Sequence, residues 1–172
     1  MTPGAQDFDV IVIGAGIAGA SVASFLARHG KVAIVEREAQ PGHHSTGRSA
    51  AVFAPSYGPP QVRALTRASR AYFDAVPGVL APRGTLFVAR AERVARLHAL
   101  ADRLAVEGAP ARVLDGAGAR DLVPVLRPEA SVAALRDDNA SDIDVHALHQ
   151  HFLRSAKAER AELHTGFDVQ RL

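Results

Sequence analysis

An α/β fold with a parallel sheet is predicted by three observations. Phe8 to Ile13 is a short, β-branched apolar run, and Gly14-x-Gly16-x-x-Gly19 follows it at once. A second β-branched run, Lys31 to Val35, closes on an acid, Glu36. A strand, a glycine turn that opens a helix, and a second strand ending in a carboxylate make a Rossmann-type βαβ unit.

The elements follow in order. Residues 8–13 read as a strand buried on both faces, the pattern of a parallel sheet. Residues 17–29 read as a helix with small residues at Ala18, Ala20 and Ala23, and Gly30 is placed to end it. Residues 31–35 are the second strand. Residues 39–60, rich in Gly, Ser, His and Pro, form a long loop, and a loop of that length in a compact domain is usually functional. A helix is expected from Gln61 to Asp74 and a strand from Gly84 to Arg90. Leu97, Leu100 and Leu104 give Ala91 to Val106 helical spacing. Residues 108–130 are broken by Gly and Pro. A strand near Ser131–Arg136, a helix from Val145 to Glu159 and a last strand near Glu162–His164 complete the chain.

Composition bounds the function classes. The chain has 172 residues, 48% hydrophobic and 22% charged, enough for one domain with a sizeable core. Net charge is only +2, carried almost wholly by arginines scattered from Arg28 to Arg171. A nucleic-acid binder concentrates charge on one face and interleaves aromatics, so no nucleic-acid partner is expected. There is no cysteine, which excludes disulfides and thiolate metal sites. Met1 to Asp9 carries two acids and no basic residue, unlike a secretory signal. The apolar run Val10 to Ile13 is too short to span a bilayer. A cytoplasmic location is the expectation.

The glycine motif has a physical task. Gly14 permits the tight turn out of the strand, Gly16 lets a pyrophosphate approach the backbone, and Gly19 lets helix and sheet pack closely. The helix N-terminus offers free N–H donors and partial positive charge to phosphates. Gly14, Ala15, Gly16, Ile17, Ala18 and Gly19 are therefore candidate cofactor-binding residues. Glu36, roughly 20 residues on, suits a ribose diol. Arg37 beside it admits a 2′-phosphate, but the acid opposes that. The fingerprint alone leaves FAD and NAD open, and with NAD an NAD-dependent dehydrogenase.

His44-Ser45-Thr46-Gly47-Arg48-Ser49-Ala50-Ala51, together with Glu36-Arg37-Glu38-Ala39-Gln40-Pro41-Gly42, closely resembles the FAD-dependent D-amino-acid oxidase family, nearest to its D-arginine dehydrogenase-like and glycine oxidase-like members. The resemblance extends to Pro60 through Thr66, Pro124-Val125-Leu126-Arg127 and Asp142 through Gln150. It implies FAD as cofactor, with the 44–51 loop running from pyrophosphate towards isoalloxazine. On that reading Arg37, His44, Ser45, Thr46 and Arg48 meet FAD, and the backbone at Ser49, Ala50 and Ala51 lies near the flavin edge. Val169 matches a position whose backbone touches adenine. The implied reaction is hydride transfer from an amino-acid Cα to flavin, the imino acid then hydrolysing to a 2-oxo acid and ammonia. No catalytic base is assigned.

The resemblance also implies a division. Residues 1–75 would be the FAD-binding core, 76–140 part of a substrate-domain insertion, and 141–172 a return to the FAD-binding domain. Family members are about twice this length by resemblance, so the C-terminal half of the family is expected to be missing and the fragment alone inactive. A truncated, non-catalytic nucleotide-binding module is the rival reading. No acid lies between Glu38 and Asp74, and Val52, Phe53 and Tyr57 suggest a pocket for a neutral amino acid, with Tyr57 the candidate substrate residue. His146, His149 and His151 are read as a solvated helix face, not a metal site. Asp137 to Asp144 lacks the Gly and Glu of a calcium loop, so a turn with Asp144 capping the next helix is expected.

Overall fold

The computed structural model describes residues 7–171 and divides into two compact units. One takes in the described residues of Met1–Ala51 and Asp144–Leu172, the other Val52–Ile143.

The first unit is built on strands β1 (Val10–Ile13), β2 (Val32–Glu36) and β9 (Glu162–Thr165) and helices α1 (Ile17–Leu26) and α5 (Val145–Ala158). The sheet is parallel in the order β1-β2-β9, with Val10 opposite Val32 and Ile34 opposite Leu163. The predicted parallel βαβ unit is therefore present. Both helices pack on one face, where Val12, Val32 and Ile34 meet Ala15, Ala23, Ala27 and Ala156. Alanine at these positions lets the two helices approach closely while staying apolar.

Three local expectations need correction. β1 is not buried on both faces: Ile11 and Ile13 are 59% and 51% exposed, because β1 is the sheet's edge strand among the described residues. α1 stops at Leu26, with Ala27 as its cap. Gly30 is not a left-handed helix terminator; a Cβ there would come within 2.7 Å of the Asp9 carboxylate, which accepts the Lys31 amide.

The second unit holds β3 (Val52–Phe53), α2 (Pro60–Asp74), β4 (Leu80–Pro82), β5 (Thr85–Ala89), α3 (Val94–Val106), β6 (Arg112–Asp115), α4 (Gly116–Leu122), β7 (Ala133–Asp137) and β8 (Ser141–Ile143). Two antiparallel sheets form, β3-β8-β4 and β5-β7-β6. α3 covers the second of these, burying Leu97 and Leu104 against Ala89 and Leu135. The 39–60 segment is not wholly irregular, since Val52 and Phe53 pair with Asp142 and Ser141. Phe53 is 3% exposed and stands edge-on to Phe73, so it packs within this unit. Arg63 is also buried; its guanidinium binds both carboxylate oxygens of Glu107, which Arg67 reaches at 3.0 Å.

Asp144 caps α5 as expected, its carboxylate accepting the Ala147 amide at 2.7 Å. Among the described residues no helix is long and apolar enough to cross a membrane.

Candidate functional site

The glycine turn is held by three backbone donors with named partners. Gly14 sits at φ +94°, and its N–H reaches the Val35 carbonyl at 2.7 Å. The next amide, Ala15, donates to Glu36 Oε2 at 2.7 Å. The Ile17 amide, first in α1, donates to Thr46 Oγ1 at 2.9 Å. Gly16 caps the helix with extended backbone and no side-chain cap, and its own N–H has no hydrogen-bond partner among the described residues. A helix mouth with an open amide and the positive end of the dipole is an anion site.

The glycines are required to different degrees. A Cβ on Gly19 would lie 1.9 Å from the Gly14 carbonyl oxygen, closer than atoms can approach. A Cβ on Gly16 would come within 3.1 Å of Thr46 Oγ1, filling the space over the turn. Thr46 is buried, and its loop folds on itself through a Gly47 amide to Gly42 carbonyl bond of 2.9 Å.

Glu36 stands at the end of β2 beside this mouth. Its other oxygen, Oε1, accepts the Glu38 amide at 2.9 Å. Desolvation pushes its pKa up, but the amides of Glu38, Ala15 and Arg37 together outweigh it and hold the carboxyl below its ordinary value. The group is therefore ionised at neutral pH. A carboxylate offers about four lone-pair sites, so acceptor capacity remains for a sugar diol. Open amide, crowded glycines and adjacent carboxylate fit a dinucleotide.

The other expected residues are placed as follows. His44 and Arg37 both turn to Glu38, at 2.8 Å and 3.3 Å. These partners hold the Glu38 carboxyl below its ordinary pKa, His44 most of all. Ala18, Ser45, Arg48, Ser49 and Ala50 are exposed. Ala51 adopts φ +56° and donates its amide to Ser49 Oγ at 2.9 Å. Val169 is half-buried on the segment leaving β9, which bonds to the carbonyls of Glu36 and Glu38 through the Phe167 and Gly166 amides. Tyr57 belongs to the second unit and is 67% exposed there.

One residue that touches the turn escapes sequence reasoning. His149 is 3% exposed, not solvated, and its Nε2 lies 2.7 Å from the Ala15 carbonyl oxygen. The signal was present in its position, one residue after the buried Leu148 and three before the buried Phe152 on the packed face of α5. Among the described residues no group of three or more His, Cys, Asp or Glu could hold a metal ion.

Comparison with known proteins gives a family and a fold. The family of FAD-dependent oxidoreductases (DAO) matches residues 9–172. Among solved structures, an L-α-glycerophosphate oxidase from Mycoplasma pneumoniae with FAD bound aligns at TM-score 0.86 and 20% identity, over 97% of this chain and 47% of its own. A glycine oxidase from Bacillus cereus aligns at 0.75 and 27%, over 96% and 49%. An L-proline dehydrogenase from P. horikoshii aligns at 0.83 and 23%, over 96% and 46%. The chain thus spans about half the length of these structures.

Proposed function

Since the chain belongs to the FAD-dependent oxidoreductase family over residues 9–172, we propose that its glycine turn holds the FAD diphosphate and that the protein serves oxidation of an amino acid at its CH–NH2 carbon. FAD is the cofactor of the family; the NAD alternative gives way to it. The observation that carries the binding reading is the pairing of the open Gly16 amide with Glu36, joined through the Ala15 amide. The amino-acid reading is supported by the glycine oxidase and proline dehydrogenase among the similar structures.

The chain's own residues would divide the work. The mouth of α1 would receive the diphosphate, with Thr46 at its side, and Glu36 would accept from the ribose. The exposed Ser45, Arg48, Ser49 and Ala50, with Ala51, would follow the cofactor towards its ring. Val169 would lie at the adenine end. Residues 1–75 and 141–172 would form the cofactor domain and 76–140 part of the substrate side, a split that the two compact units support except that residues 52–75 and 141–143 group with the second. Flavin, when bound, supplies the hydride acceptor, leaving an imino acid that water converts to a 2-oxo acid and ammonia.

Purified protein mixed with FAD should turn yellow after desalting, and bleaching of its visible band without air on addition of an amino acid would extend the reading from binding to oxidation. A screen of both stereoisomers, neutral side chains first, identifies that substrate. Protein that stays colourless overturns the reading; FAD uptake with no bleaching by any amino acid favours a binding module.

A further inference from the structure

We propose that His149 is a positioning residue for the cofactor: through its Nε2–H it holds the Ala15 peptide so that the Gly16 amide faces the phosphate mouth. The inference rests on the FAD reading above and adds a residue from the opposite end of the unit's sequence.

The geometry is specific. A carbonyl oxygen only accepts, so the 2.7 Å contact to Ala15 requires the proton on Nε2 of His149. The 15–16 peptide is trans and planar, so its C=O and N–H point in opposite directions. A bond that draws the Ala15 carbonyl towards α5 therefore aims the Gly16 N–H away from α5. Among the described residues that amide has no partner, although it lies between Ala15, bound to Glu36, and Ile17, bound to Thr46. The ring touches the second wall as well. A Cβ on Gly42 would come within 3.0 Å of Cε1 and 3.2 Å of Nδ1 of His149, so the 42–47 loop closes directly against it. One buried imidazole thus braces both the turn and the loop that carries Thr46.

α5 is the natural support. It packs along α1 through Ala156 and Leu153, and Asp144 fixes its first turn. The histidine is held by rigid elements, which a positioning role needs.

The test uses the whole chain and three proteins: wild type, His149→Phe and His149→Gln. Phenylalanine keeps the ring volume and loses the donor; glutamine keeps an N–H donor. Affinities for FAD and for ADP are measured by titration, with melting curves of each apo protein. The expected result is FAD and ADP binding weakened about tenfold in the Phe variant and largely restored in the Gln variant. Restoration separates positioning from bulk stability, which both variants lower. Binding by the Phe variant within about twofold of wild type, or a Gln variant no better than Phe, overturns the proposal. Nitrogen NMR of the wild-type apo protein reads the inference apart from FAD: an Nε2–H tautomer is expected, and Nδ1–H would overturn it. Wild type that binds no FAD would sink the functional reading, while the tautomer would still decide the brace.

Discussion

The Ala15 amide and the Glu36 carboxylate, 2.7 Å apart, tie the turn after the first strand to the tip of the second. The link means that the residue meant for the ribose also shapes the phosphate turn, so the two halves of the cofactor contact stand or fall together.

Glu36→Gln tests that coupling. A carboxylate accepts from both Ala15 and Glu38, whereas an amide has one acceptor oxygen and must face one of those N–H groups with its own. Stability should fall by about 1–3 kcal/mol. FAD affinity should drop by about tenfold or more. Urea unfolding and flavin titration read the two effects separately; unchanged stability would show that the Ala15 link is dispensable.

Gly19→Ala should be far more damaging than Gly16→Ala to the apo fold. The first Cβ meets the Gly14 carbonyl at 1.9 Å, a backbone atom that cannot step aside without moving α1. The second meets a threonine hydroxyl at 3.1 Å. We expect a loss of at least about 1–3 kcal/mol for Gly19→Ala. Gly16→Ala should leave the melting curve nearly intact and still weaken FAD, since its methyl enters the mouth. Equal melting temperatures for the two variants would contradict this.

Glu107 predicts an acid limb of stability in the second unit. Its carboxyl is held at about 2, first by the bonded Arg63 guanidinium and then by Arg67, against desolvation that pushes it up. The folded value lies below the ordinary 4.5. Its stabilisation is therefore full above about pH 4.5 and lost as pH falls towards about 2. Melting temperature followed across that window should decline, and Glu107→Gln should flatten the decline while lowering stability at neutral pH, because Arg63 stays buried without its counter-charge.

Asp144→Ala removes the cap of α5 and should cost about 1 kcal/mol. Because α5 carries His149, the variant should also loosen FAD slightly, a secondary effect that Asp115→Ala, which uncaps α4 in the other unit, should not share. Denaturant midpoints and flavin titration of both variants check this.

The first unit was legible because its signals are local. A β-branched run, a glycine turn and an acid at fixed spacing name β1, α1, β2 and Glu36 without any tertiary information. β3, β4, β6 and β8 were not predicted. Each is two to four residues long, and β6, with its exposed Arg112 and Val113, is a strand only because β7 lies beside it. α4 hides in a Gly-rich stretch, where propensity argues against a helix and the Asp115 cap argues for one. His149 was missed for a related reason: helical spacing shows which residues share a face, not which face another helix covers. Gly30 was misread because its purpose, room for Asp9, depends on a contact 21 positions away in sequence.

The bare flank of β1 has a practical consequence. Among the described residues Val10 to Ile13 hydrogen-bonds to β2 alone within its sheet, and Ile11 and Ile13 stand out beside that open side. Such an edge is a template for further strands. Copies of this polypeptide held at high concentration should therefore recruit one another, and light scattering that climbs with protein load but stays flat after Ile13→Lys would trace the stickiness to this border.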